Sequence, residues 1–264
     1  ENENVQGLLD PLIVSQIDYF VFVSNWQKTM FCQHFPIPSH KCITIRNAIE
    51  PIEFKPRNPF NKLNLVYTSM PWRGLDILLD CFEQLDRDVT LDVFSSLKIY
   101  GSHYHNTAIQ NWQWLFDKAE NISNVNYHGY ATNDQVRDFL SQCNIFAYPS
   151  IFAETSCLSA IEAGASGCQL LVTNFGALSE TCGTWATYVP LQNRQDLINQ
   201  FTDCLRQQID GYQDPRCQQK LKLQSEWFNQ QYSWHIRKQE WATFFEKVKN
   251  MNRNIGIDVP VSNM

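Results

Sequence analysis

Two glutamates and an arginine are the residues whose types and spacing could do chemistry together. Glu154 and Glu162 sit in the stretch IFAYPSIFAETSCLSAIEAGASG, residues 145–167, and Arg73 follows Pro71-Trp72 far upstream. In the first stretch, the apolar run Ile145 to Tyr148 reads as a short buried strand and Pro149-Ser150 as a turn. Thr155 and Ser156 are good N-cap residues for a helical run from Cys157 to Ala165, which Gly167 can close. A helix start offers unpaired backbone N–H groups and partial positive charge to an anion such as a diphosphate. Glu154 stands at the mouth of that helix, and Glu162, about two turns on, can reach hydroxyls further along the ligand. The combination suits a molecule with phosphate in its middle and polyol at its ends.

Arg73 lies in the loop TSMPWRG, after an apolar run and before a helix opened by Gly74. Its planar fork pairs bidentately with phosphate oxygens, and Ser69 could add a hydroxyl. A positive charge at a helix start has no dipole reason to be there, which favours the clamp over a plain surface arginine. Cys157 would stand at a helix N-terminus, where a thiol pKa can be lowered, but its backbone is the more natural contribution. Other signals fail. Asp86-Arg87-Asp88 has the D-x-D form of a metal-diphosphate site yet falls between a helix and the next strand, at the wrong end of a sheet. His103 and His105 lack further residues at metal-ligand spacing. No G-x-G-x-x-G, G-x-S-x-G or Walker A pattern occurs, and Asn121-Ile122-Ser123 is only a formal glycosylation sequon.

The elements that must position these residues read as an α/β chain. Strands are expected at Asp18–Val23, Ile43–Ile45, Leu63–Tyr67, Thr90–Phe94, Val125–His128, Ile145–Tyr148, Gln169–Val172 and Thr187–Val189. Helices are expected from Ser24-Asn25 to about His34, then Gly74–Leu85, a Trp-rich Thr107–Ala119, and Asn133–Cys143. Residues 1–16 show no clear period. The Pro-rich segment 50–61 is the best linker candidate, and the chain is mostly helical after Arg194. Strands alternating with helices of about ten residues argue a parallel, doubly wound sheet. Ligands bind such sheets at the carboxyl ends of the strands, which points to loops 68–74, 95–106, 129–132, 149–156 and 173–178.

Composition bounds the partners. The 264 residues are 44% hydrophobic with a formal net charge of −6, which speaks against a general nucleic-acid surface. No apolar run approaches a membrane span. Nine Cys without a C-x-x-C spacing, mostly inside apolar segments, read as reduced thiols of a cytoplasmic protein, with peripheral membrane attachment left open. The first residue is Glu, not Met, and no signal-peptide pattern follows it, so the chain reads as a piece of something longer or one whose start is not shown.

At this point the residues resemble a known family. PSIFAETSCLSAIEAGASG is similar to the E-x7-E signature of retaining, nucleotide-sugar-dependent glycosyltransferases of family 4, which have the GT-B fold. LVYTSMPWRGLDILLDCFEQL resembles the family's strand, phosphate loop and helix, and VNYHGYATNDQVRDFLSQCNIFAYPS the lead into the signature. LLVTNFGALSETCG resembles the Gly-and-Glu loop after it, and FVFVSNWQKTMF and ITIRNAIEP the end of a first Rossmann-like domain. QQYSWHIRKQEW resembles the start of the final crossing helix, and the match spans roughly residues 12–250.

The resemblance implies the C-terminal, donor-binding half of a GT-B fold: a Rossmann-like doubly wound parallel sheet with a helical C-terminal extension. Residues 1–50 would be the remnant of the acceptor-side domain and its connection, 51–230 the nucleotide-sugar domain, and 231–264 the crossing helix and tail. It implies that Glu162 binds the donor ribose and Glu154 the transferred sugar near the reacting carbon, as the catalytic carboxylate. Thr155 would lie in the same donor loop, and Ser156, Cys157 and Leu158 would offer N–H groups to the diphosphate and sugar. Arg73 takes the place of the family's usual Lys, Ser69 assists, and Tyr130 and Ala131 would lie by the base. The family's earlier Arg is not evident, because Thr68-Ser69 stand there. The implied function is retaining hexosyl transfer from a UDP- or GDP-sugar to an unknown glycan, lipid or protein acceptor, with no metal and no other cofactor. This chain alone would turn over little. The alternative is a non-catalytic sugar-nucleotide- or partner-binding module on the same half-fold; a sugar-nucleotide epimerase is disfavoured by the Glu pair.

Overall fold

The computed structural model describes residues 3–254. A 3-10 turn at Glu3–Leu9 and helix α1 (Pro11–Gln16) lead into β1 (Phe20–Phe22), α2 (Asn25–His34) and β2 (Cys42–Thr44). Then follow β3 (Leu63–Thr68), α3 (Leu75–Glu83), β4 (Val89–Phe94), α4 (Ser102–Ala108), α5 (Gln113–Asn121) and β5 (Val125–Tyr127). The chain continues through α6 (Asn133–Leu140), β6 (Ile145–Tyr148), α7 (Leu158–Ser166), β7 (Gln169–Thr173), α8 (Leu178–Cys182) and β8 (Ala186–Val189). Three long helices finish it: α9 (Arg194–Asp210), α10 (Pro215–Gln231) and α11 (Trp234–Asn254).

Six strands form one parallel sheet in the order β5-β4-β3-β6-β7-β8, as expected of a Rossmann-like doubly wound domain. The apolar runs of β3 and β6 take the middle because parallel strands need cover on both faces, and all four residues of β6 are buried. Helix α3 packs against α5 and α9, and α7 packs against α6, α8 and α10. The chain order reverses between β3 and β6, so the loops after these two strands flank the crevice where such sheets bind ligands.

β1 and β2 make a separate two-stranded parallel sheet with its own small core of Val14, Phe22 and Ile37. Glu180 of α8 ties this layer to the large sheet. Its carboxylate accepts hydrogen bonds from the backbone N–H groups of Asn25 (3.0 Å) and Trp26 (2.9 Å), at the start of α2, and pairs with Arg46 at 3.3 Å. Helix α11 crosses to the same layer, where Phe244 meets Tyr19 edge to face.

Several local expectations change. The Trp-rich helix at 107–119 is two helices with a 3-10 turn at Ile109–Asn111 between them; Trp112, outside helical geometry, packs its ring on Trp72. Residues 1–16, without a readable period, hold a 3-10 turn and α1, which opens on an Asp10 cap and Pro11. The strand at 18–23 shortens to three residues, with Val21 exposed. Helix α7 starts at Leu158 rather than Cys157. Thr155 and Ser156 do not cap it, because they form the bend that carries the chain from Glu154 to the N-cap, Cys157. Glu162 therefore sits one turn inside the helix.

The far end of α7 is held by side chains. Arg57 donates to Gly167 O (3.0 Å) and Ser166 O (2.9 Å), Gln224 to Gly164 O (3.2 Å), and Asn229 and Ser225 to Ala165 O. These contacts satisfy the carbonyls a helix leaves unpaired at its C-terminus. They also bring α10 so close that a Cβ on Gly164 would lie 2.6 Å from the Phe228 ring. Gly164→Ala should therefore destabilise the fold by about 1–3 kcal/mol through overpacking, read as a lower urea midpoint with an unchanged slope.

Candidate functional site

The loops after β3 and β6 meet because Gly74 lacks a side chain. With φ +103° it lies where a Cβ would come 2.1 Å from the Pro149 carbonyl oxygen. The preceding turn, Pro71–Arg73, then aims the Arg73 side chain at Glu154. Glu154 itself is fixed by the loop after β7. Ala177 N–H donates to its carbonyl at 2.7 Å, and Gly176, φ +61°, lies where a Cβ would fall 2.5 Å from its nitrogen. Ser159 Oγ, in the first turn of α7, donates to Thr68 O at 2.6 Å and ties the helix start to β3.

Arg73, Glu154 and Ser69 are brought into one network, with Tyr148 at its centre. Arg73 Nη1 reaches Glu154 Oε1 at 3.0 Å and Oε2 at 3.2 Å, and the guanidinium lies 4.4 Å over the Phe152 ring. The Tyr148 hydroxyl donates to Glu154 Oε1 at 2.5 Å and sits 3.1 Å from Ser69 Oγ. Burial pushes the Glu154 carboxyl above its ordinary range, outweighing the Tyr148 hydrogen bond and the Arg73 charge, which pull it down. Burial likewise drives the Tyr148 phenol well up, so it is a permanent donor. On Arg73 burial opposes the charge, but Glu154 together with Tyr148 more than offsets it and the guanidinium pKa rises.

Glu162, Tyr130 and Ala131 come together elsewhere in the crevice. They line a cavity of 130 Å³ with Thr68, Ser159 and Gly129. Glu162 is met by Arg137 of α6 at 3.3 Å; burial raises its carboxyl and Arg137 pulls the other way. Through Gly129 and Tyr130 this cavity adjoins another of 410 Å³ lined by Lys98, His105 and His128. The first bond along α7 runs from Ile161 N–H to Cys157 O at 3.1 Å, so the N–H groups of Leu158, Ser159 and Ala160 have no carbonyl partner in the helix. Cys157 caps with no side-chain hydrogen bond, and burial pushes its thiol well up, opposite to the lowering a helix start can give. Thr155 and Ser156 are half-buried and Leu158 is exposed.

Sequence reasoning missed Tyr148, Phe152, Ser159, Gly176 and Arg137. A tyrosine closing an otherwise aliphatic and phenyl run (IFAY) was a usable signal for the first. For Arg137 none existed, since its partner is 25 residues away on another helix. Among the described residues no group of three or more His, Cys, Asp and Glu could hold a metal ion, and no helix is long and apolar enough to cross a membrane. The Asp86-Arg87-Asp88 run is an ion-pair cluster with Arg206, Asp210 and Lys62.

Residues 62–207 match the family described as Glycosyl transferases group 1. No match was found among curated proteins. Solved structures with the same fold include a glycosyltransferase from Rickettsia africae, with a TM-score of 0.71 at 14% identity, covering 94% of this chain and 68% of that one. Anabaena HepE in complex with UDP-glucose gives 0.69 at 16%, covering 91% and 70%. The GtfA/B complex gives 0.68 at 17%, covering 94% of this chain and 48% of that one, so this chain spans about half the length of that match.

Arg73→Ala should destabilise the fold at neutral pH by roughly 2 kcal/mol, below the 3–5 typical of a fully buried pair because Arg73 is partly exposed. The sign with pH follows from Glu154. Without Arg73 its folded-state pKa rises further above the unfolded one, so the variant loses stability as pH climbs through that folded value. Denaturation at neutral pH and below the carboxylate range should show the deficit large at the first and small at the second.

Proposed function

The chain belongs to the glycosyl transferases of group 1, and on that premise we propose that it binds a nucleotide-diphosphate sugar and serves the transfer of its sugar to an acceptor, with retention of configuration and without a metal. The observation that carries the reading is the meeting of Arg73, Glu154 and the open start of α7 at the sheet's switch point, with Glu162 one turn further along. A diphosphate there would take the Leu158–Ala160 N–H groups and draw Arg73 off Glu154. The bend at Thr155 and Ser156, the backbone of Cys157, and the Ser69 hydroxyl border the same space. Glu162 would accept from the ribose hydroxyls, and Tyr130 and Ala131 would flank the base.

The chemistry is electrostatic. Breaking the bond from sugar to phosphate leaves charge on the departing diphosphate, which the fixed N–H groups of the helix start stabilise together with Arg73 once it has turned from Glu154. The sugar becomes cationic, and Glu154, paired with Arg73 and hydrogen-bonded by Tyr148 in the resting site, would face that charge once Arg73 turns to phosphate. Tyr148 keeps the carboxylate in place during the exchange. UDP is the natural first probe because the Anabaena HepE structure holds UDP-glucose; GDP is the second.

Calorimetry with UDP tests this. Glu162→Ala should weaken UDP binding by about 1–3 kcal/mol, the range for a hydrogen bond to a charged group. Glu154→Gln should do the reverse: it releases Arg73 and removes a negative charge, so UDP without its sugar should bind about fivefold more tightly, roughly 1 kcal/mol. A chain that binds neither UDP nor GDP would sink the reading.

A further inference from the structure

A second pair of arginines, Arg46 and Arg237, lies at the carboxyl ends of the small sheet. Asn25 opens the helix after β1, Thr44 ends β2, and Arg46 follows two residues later. With Arg237 and Glu240 of α11 these residues line a cavity of 210 Å³, which shares no residue with the Arg73–Glu154 network. Its position obeys the rule that parallel α/β sheets take ligands beyond the carboxyl ends of their strands.

Neither arginine is used up by its protein partners. Arg237 is only 2% exposed; it donates to Gln231 O at 2.5 Å and pairs with Glu240, but its Nε–H is buried without an acceptor. A buried N–H left unpaired is costly. Arg46 makes one long contact, 3.3 Å, to Glu180, whose carboxylate already accepts from Asn25 N, Asn25 Nδ2 and Trp26 N. Glu180 would stay satisfied without Arg46, and most of that guanidinium's five donors remain free. Glu240 is the one carboxylate on the lining, and its side chain is 42% exposed.

We propose that this cavity is an oxyanion site that takes a single phosphoryl group between Arg46 and Arg237. The two guanidiniums carry more N–H donors than Glu180, Glu240 and the Gln231 carbonyl take up, and the terminal oxygens of a phosphoryl group can accept from those left over. The volume is below the range of about 300–1,000 Å³ of pockets that enclose a whole drug-sized ligand, so it fits the anionic end of a molecule rather than all of it. The phosphoryl group could come from free phosphate or from a phosphate ester presented by an acceptor. The proposal is independent of the donor reading, since it uses other residues.

The test is calorimetric titration of the full chain with inorganic phosphate, with and without saturating UDP. Saturable phosphate binding that UDP leaves unchanged is expected. Arg46→Gln should weaken it about tenfold or more, as for a lost charge-assisted hydrogen bond. Glu240→Gln frees the buried Arg237 guanidinium from its carboxylate and should strengthen phosphate binding, with phosphate raising the variant's melting temperature more than that of the unaltered chain, which a merely structural role for the cluster would not produce. Melting curves check that both variants are folded. A hexose monophosphate binding more tightly than inorganic phosphate would identify an ester as the source, and equal affinity would identify the free ion. Absence of saturable phosphate binding, displacement by UDP, equal affinity for acetate, or a folded Arg46→Gln chain with unchanged affinity would each overturn the proposal.

Discussion

The site depends on one close approach, that of Gly74 to the carbonyl oxygen of Pro149, where a side chain would stand 2.1 Å away. It closes the two loops that flank the switch point onto each other. Residue 74 must both adopt φ +103° and carry no Cβ, and only glycine does both without strain. The consequence is electrostatic. A cation from the loop after β3 and a carboxylate from the loop after β6, 81 residues apart in sequence, become a hydrogen-bonded pair. Gly176 does the same for the third loop, against the backbone of Glu154 itself. Three loops thus converge at Glu154, and both close approaches, at Gly74 and at Gly176, are set by the absence of a side chain.

That carboxylate is almost fully buried, which would be costly without partners. Arg73 and Tyr148 supply them, and Phe152 covers the guanidinium. The resting site therefore holds its anion internally, and a phosphate-bearing ligand of the kind proposed would have to compete with Glu154 for the same arginine. Helix α7 bears the other half of the load. Its C-terminal carbonyls are bound by Arg57, Gln224, Ser225 and Asn229, and Ser159 ties its first turn to β3, so its open N–H groups point from a fixed frame. Fixed donors stabilise developing charge without reorganising, which is what a reaction releasing a diphosphate requires.

The small β1–β2 layer is joined to the large sheet by charge as well as by packing. Glu180 sits at the start of α2, where the helix dipole favours a carboxylate, and its hydrogen bonds there and to Arg46 hold its pKa down against the cost of burial. Because α8 begins one residue after Ala177, which holds Glu154, the two layers and the candidate site are linked through a few residues of backbone.

The sequence by itself determined the α/β alternation, the site-bearing loops and the candidate residues Arg73, Glu154 and Glu162, because these are written in local periodicity and local turn chemistry. Ser24 as the cap of α2 was legible for the same reason, its Oγ accepting from Gln27 N–H. Where reading failed, a distant contact overrode local preference. Thr155 and Ser156 have the right chemistry for a cap, but the chain is pinned at Glu154 by Ala177, and the helix starts after them. Trp112 interrupts an otherwise helical run by packing on Trp72 from another loop. Only the tertiary structure decided that Arg73 faces Glu154, that Tyr148 lies between Glu154 and Ser69, and that Arg137 meets Glu162. Arg73–Glu154, Ser69–Tyr148 and Arg137–Glu162 each join elements far apart in the chain, and long-range electrostatics and packing leave no period for a sequence to show.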